Sequence, residues 1–227
     1  TMMKKTTTIL CLGIALCMLG CSDDDDQVTT TSTVPFSLTA SLSPRSSDAE
    51  DTGILQGNWD ANSQLAVIKT GSSGVPKSIL TRKTDSSDTF TGNLSTLVKN
   101  ENEIAVFYPA AAITANSSDT LTQTLNLSGQ DGTLAGITNY DYLWAQCKAG
   151  MNETTGSSAC EMTSLVTIGK FQFTVNGGSP LNNITRITIT ATAGTLYSSA
   201  VMKLKNGEFS STQTGNITIK NKAGISG

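Results

Sequence analysis

No histidine occurs among the 227 residues. That removes the commonest general base, the usual nucleophile–histidine triads and histidine metal ligation together. Aromatic residues make up 5% of the chain and charged residues 15%. The 15 Lys and Arg stand against 18 Asp and Glu, for a net charge of −3. With no basic patch to track phosphates, nucleic acid is not an expected partner. A phosphate-cradling P-loop, a dinucleotide glycine fingerprint and a Cys-x-x-Cys pair are all missing. So is any long amphipathic helix pattern. Asp85, Asp88 and Asp119 sit in Ser-rich turns, where carboxylates cap backbone amides. Two carboxylates can run glycoside hydrolysis only at a set separation, which chain position does not supply. No catalytic residue, cofactor or metal site is assigned, and an enzyme is not expected.

The N-terminus is the most informative stretch. Lys4 and Lys5 precede an apolar run over residues 9–19, closed by Gly20 and Cys21. This is the order of an export signal, and the run is shorter than the roughly 20 residues of a membrane-spanning helix. Met18-Leu19-Gly20-Cys21 resembles a lipobox, with Met18 where Leu is usual. The expectation is cleavage after residues 1–20 and lipidation, including palmitate, at Cys21; the alternative is an ordinary secretory peptide. Ser22, Asp23, Asp24, Asp25 and Asp26 follow directly. They are similar to the surface-export tag of Bacteroidetes lipoproteins, and four adjacent carboxylates also make a solvated spacer. Residues 21–33 therefore read as an acidic, Ser/Thr-rich tether. Anchoring in the outer membrane through lipid, facing outward, is the expected location.

Of five cysteines, Cys11 and Cys17 lie in the signal and Cys21 takes the lipid. Cys147 and Cys160 remain, outside the reducing cytosol if the chain is exported. A disulfide between them would stabilise by roughly 3 kcal/mol in the loop-entropy model; two free buried thiols are the alternative. Two cysteines without histidine make a poor zinc site.

From Val34 onward the pattern is extended. Phe36, Leu38, Ala40 and Leu42 alternate with polar residues, the period of a half-buried strand. Residues 43–48, containing Pro44 and Arg45, read as an exposed loop. Further strands are expected at 64–69, 78–83, 103–108, 120–127, 142–148, 167–175, 184–192, 196–204 and 216–220. Asn176-Gly177-Gly178 is a turn signal. Many short strands with polar turns point to an all-β, β-sandwich architecture. Trp59 and Trp144 read as core residues that find one partner each for the indole N–H; exposed, they could stack on sugar rings.

In order along the chain come lipobox Cys21, the acidic tag, the strand Pro35-Phe36-Ser37-Leu38-Thr39-Ala40 and a loop bearing Arg45. Trp59 and Leu65-Ala66-Val67-Ile68 follow, then Val106-Phe107-Tyr108-Pro109 and the stretch from Leu125 to Thr133. Tyr140-Asp141-Tyr142-Leu143-Trp144-Ala145 and Phe171-Gln172-Phe173-Thr174 complete the series. This order resembles the fimbrillin-like proteins, pilus-subunit and adhesin lipoproteins of Bacteroidales. The resemblance implies two tandem β-sandwiches of transthyretin-like, Greek-key type, here at 34–160 and, incomplete, at 161–227. It implies assembly with other fimbrial subunits by donor-strand exchange, after proteolysis between Arg45 and Ser46. A surface ligand on host or bacterium is implied without being specified. The chain departs from the family by stopping at Gly227 without a closing apolar strand, so a truncated second domain is expected. Capture of glycans for uptake is the alternative function, to be told apart by whether Trp59, Trp144 and Tyr140 share one exposed face.

Overall fold

Residues 65–68 and 104–108 are apolar at every position, so as strands they must be covered on both faces. That requirement organises the molecule. The computed structural model describes residues 32–45, 53–71, 75–84, 88–113, 122–171, 173–174, 178–179 and 183–225. Among these the strands are β1 (Thr33–Leu42), β2 (Gln64–Lys69), β3 (Ser78–Arg82), β4 (Thr89–Ser95), β5 (Glu103–Tyr108), β6 (Thr122–Asn126) and β7 (Leu143–Lys148). They continue with β8 (Gly150–Met151), β9 (Gly156–Ser164), β10 (Ile184–Ile189), β11 (Tyr197–Lys203), β12 (Phe209–Thr214) and β13 (Ile217–Ile225). The one α-helix described is a single turn, Leu134–Ile137, with Thr133 as its N-cap.

The main sheet runs β1-β4-β3-β2-β5-β7-β9-β8, and β1 also pairs with β9. Seven strands thereby close into a barrel, and β8 extends β9 as a short hairpin. The expected β-sandwich is overturned by this closure. A sandwich needs two sheets with free edges, whereas here the first strand is hydrogen-bonded on both sides. It lies antiparallel to β4, with Phe36 opposite Gly92, and parallel to β9, with Phe36 opposite Gly156. A closed barrel leaves no edge to protect.

Alternation then sorts the side chains. Phe36, Leu38 and Ala40 of β1, Leu65 and Val67 of β2, Leu80 of β3, and Phe90 and Leu94 of β4 fill the barrel. So do Ile104, Val106 and Tyr108 of β5, and Leu143 and Ala145 of β7. The intervening residues of β2 and β5 face outward yet are also buried. Ala66, Ile68 and Phe107 pack with Leu125 of β6, Met202 of β11, and Leu204. A three-stranded sheet, β12-β11-β6, therefore covers one outer flank of the barrel. The two remaining strands, β10 and β13, pair antiparallel as a separate ribbon.

The strands depart from the sequence expectation in both directions. Residues 167–171, read as part of a strand, have no regular strand structure. Conversely β9 carries Gly, Ser, Ala and Thr where a strand usually shows large apolar residues, and β4 carries Gly92 midway between Phe90 and Leu94.

Candidate functional site at the first strand and its anchor

β1 buries alternate residues: Val34, Phe36, Leu38 and Ala40 inward, with Thr33, Pro35 and Thr39 exposed. Full burial of a Phe or Leu side chain contributes about 1.5–3 kcal/mol, so this strand is a large part of the barrel core. Ladder pairs run along its whole length, from Thr33 opposite Ser95 to Leu42 opposite Met162. Among the described residues only its C-terminal end connects onward within the barrel, which makes it topologically a tenon set into a slot between β4 and β9.

The far end of that strand is held by side chains. The indole N–H of Trp59 donates to the backbone carbonyl of Ala40 at 2.6 Å. The Trp59 ring packs edge-on against Phe90 and Tyr108, with centroids 5.0 and 5.3 Å away. Burial, with the Asp60 carboxylate nearby, pushes the Tyr108 phenol up to about 12. Ser43 Oγ donates to Glu161 Oε1 at 3.1 Å. Beyond it, the backbone N–H of Arg45 donates to the Leu55 carbonyl. The Arg45 guanidinium donates through both terminal nitrogens to the Asp141 carboxylate, and also to Ser164 Oγ at 3.1 Å. Ser164 in turn donates to the Val166 carbonyl at 2.7 Å. Arg45 therefore ties the exit of β1 to the entry of β7 and the end of β9. Its side chain is 17% exposed and that of Asp141 only 1%.

The loop arginine was legible in the sequence as a residue outside any strand; its burial and partner were not. Asp141 lies between two tyrosines at the start of a strand. A carboxylate enclosed in apolar sequence needs a cation, a signal that singles out Asp141 without naming which of the three arginines meets it. Cys147 and Cys160 are free thiols, both half-buried against the barrel core. Cys21, Ser22, Asp23, Asp24, Asp25, Asp26 and Ser46, together with Asp85 and Asp119, fall outside the described residues.

The aromatic residues do not form one exposed face. Trp59 is 2% exposed and lies inside the barrel. Trp144 is half-buried on the outer flank and donates its indole N–H to the Leu204 carbonyl at 3.1 Å. Gly207, at φ +70, lies so close over that indole that a Cβ there would sit 2.9 Å from the ring. Tyr140 is half-buried.

No protein-family model matches the sequence, and no curated protein sequence matches it. Among solved structures, the chain is similar to a candidate cell adhesion protein from Bacteroides ovatus, with 14% identity and a TM-score of 0.44. That likeness covers 86% of this chain and 78% of the other. It is also similar to a fimbrial assembly protein from Parabacteroides distasonis, with 12% identity and a TM-score of 0.40, covering 84% of this chain and 77% of the other. At such scores and identities neither likeness carries an activity or a partner over to this chain.

Proposed function

We propose that the chain is a cell-surface fimbrial subunit or adhesin, exported as a lipoprotein on Cys21, that joins its neighbours by exchanging its first strand. The observation that carries this reading is the position of β1. It is the first of the described strands, and it closes the barrel between two partners and fills it with alternate apolar side chains. A strand of the same alternation from another subunit could satisfy the same ladders and the same pockets. Without any strand there, two rows of backbone groups and a set of apolar pockets stand open. The slot is therefore never stable empty, and exchange must be concerted with arrival of the donor. Cleavage after Arg45 would free β1 and, with it, the lipid on Cys21. The lipid then serves delivery, and the fibre retains the rest of the chain.

Immunogold electron microscopy of material sheared from the surface of the producing bacterium, with an antibody to residues after Arg45, tests the reading. Labelled filaments are expected, containing a species that begins at Ser46. Label confined to the membrane, with every molecule beginning at Cys21 and no filament decorated, would overturn assembly by exchange of β1.

A further inference from the structure

We propose that Cys147 and Cys160 are a disulfide-forming pair, a covalent staple between β7 and β9, next to the β1–β9 pairing that closes the barrel. The two strands are antiparallel, with Leu143 opposite Ser164 and Trp144 opposite Thr163. The regular ladder stops there and resumes between β8 and β9, with Gly150 opposite Ser157 and Met151 opposite Gly156. Both pieces keep one register, and in the interval that register sets Cys147 directly opposite Cys160. Directly opposed residues of antiparallel strands have Cα atoms about 4.5–5.5 Å apart, inside the about 4.4–6.8 Å that a disulfide spans. Both side chains point the same way, since both pack against the barrel core, and each thiol is the largest influence on the other's proton affinity. The interruption of the ladder gives the staple its purpose. Where backbone bonds between β7 and β9 lapse, a sulfur–sulfur bond holds the two strands together.

The two thiols are not equivalent. The neighbouring Cys160, and the Ser158 hydroxyl 3.3 Å from Cys147 Sγ, favour the Cys147 thiolate. Cys160, buried beside Cys147 and with its thiol directed to Met162 Sδ at 3.9 Å, is held protonated. Cys147 is therefore the attacking sulfur. Its thiolate attacks one sulfur of an external disulfide oxidant, forming a mixed disulfide and expelling one oxidant thiolate. Cys160 then loses its proton and attacks the Cys147 sulfur, forming the internal bond and expelling the second oxidant thiolate. Two electrons pass to the oxidant, whose disulfide is reduced to two thiols by the two protons from Cys147 and Cys160.

β9 is the parallel partner of β1, so the staple secures one wall of the slot that β1 occupies. The pairing itself does not depend on strand exchange and is tested without it. The folded full chain is incubated with glutathione disulfide, blocked with N-ethylmaleimide, digested and mapped by mass spectrometry. A cross-linked Cys147–Cys160 peptide is expected, with both residues protected from the maleimide and a Tm higher by roughly 6–12 °C than that of the reduced chain. Dithiothreitol reverses both. In Cys160→Ser the reaction stops at a glutathione adduct on Cys147. Maleimide on both Cys147 and Cys160 after oxidation, or bridges only to other cysteines or other chains, would sink the proposal. A cross-linked peptide without a rise in Tm would remove its role as a staple.

Discussion

Arg45 and Asp141 form a two-pronged ion pair between the exit of β1 and the entry of β7, with the carboxylate almost fully enclosed. Opposite charges taken out of water gain little over an apolar pair, but removing one partner strands the other. Arg45→Met is therefore expected to destabilise the fold by about 3–5 kcal/mol. The double variant Arg45→Met, Asp141→Leu should recover most of that loss. Urea midpoints of the wild type, both single variants and the double variant complete the cycle. Equal losses in the single and double variants would mean that the pair's role is packing rather than charge.

Alkaline stability should report on Tyr108. Its phenol is held at about 12 in the folded chain by burial beside Asp60, against about 10 when unfolded. The folded state thus keeps its proton longer than the unfolded state. This contribution is fully present below about pH 10 and is lost as the pH rises toward about 12. Burial raises Tyr142 as well, so both tyrosines steepen the alkaline limb. Denaturation midpoints across that range should fall steeply for the wild type and more gently for Tyr108→Phe. Superimposable profiles would show that the Tyr108 hydroxyl gains its proton affinity from nothing specific to the fold.

Parts of this architecture are written plainly in the chain. The alternation at Phe36, Leu38, Ala40 and Leu42 marks β1, and the apolar runs at 65–68 and 104–108 mark β2 and β5. Closure is not written there. It rests on pairing between β1 and β9, in which Ser41 and Cys160 stand 119 residues apart. β9 has few large apolar residues because Phe36 of β1 lies over Gly156, where a Cβ would come within 2.7 Å of the ring. Large residues on the partner strand thus replace the pattern that would have revealed β9. The strand expected at 167–175 rested on Phe171 and Phe173, yet Phe171 is 54% exposed and residues 167–171 have no ladder to join. For the anchor, Arg45 was visible as a loop residue. Choosing Asp141 among 18 acidic residues takes the fold that encloses it.

Gly92 of β4 gives a separate check on the barrel. It stands opposite both Phe36 of β1 and Leu80 of β3. A Cβ there would meet the Ile79 carbonyl oxygen at 2.6 Å and Leu80 Cδ2 at 2.9 Å. The first of these is backbone and can give way only if β3 moves. Gly92→Ala is expected to cost about 1–3 kcal/mol through overpacking. Thr91→Ala, at the neighbouring exposed position, should stay within about 0.5 kcal/mol of wild type. Thermal melts of the two variants make the comparison. An unperturbed Gly92→Ala would mean that β3 and β4 sit farther apart than the closed barrel requires.

The anchor also controls how Arg45 meets a protease. A trypsin-like enzyme must draw the guanidinium into its own acidic pocket, and here that group is already committed to Asp141 and Ser164. Cleavage after Arg45 in the folded chain should therefore wait on local opening of the anchor, whose free energy is only a part of global stability. Asp141→Asn removes the charge that holds the guanidinium and should speed cleavage at Arg45 by on the order of tenfold or more, the factor matching about 1.4 kcal/mol or more of lost holding energy. Arg186, exposed on β10, is the internal reference because its guanidinium needs no release from such an enclosed partner. Limited proteolysis followed by N-terminal sequencing reads both sites in one digest. Selective acceleration at Arg45 identifies the ion pair as a latch on β1. Equal acceleration at Arg45 and Arg186 would show that Asp141→Asn loosens the whole fold, and the latch would be abandoned.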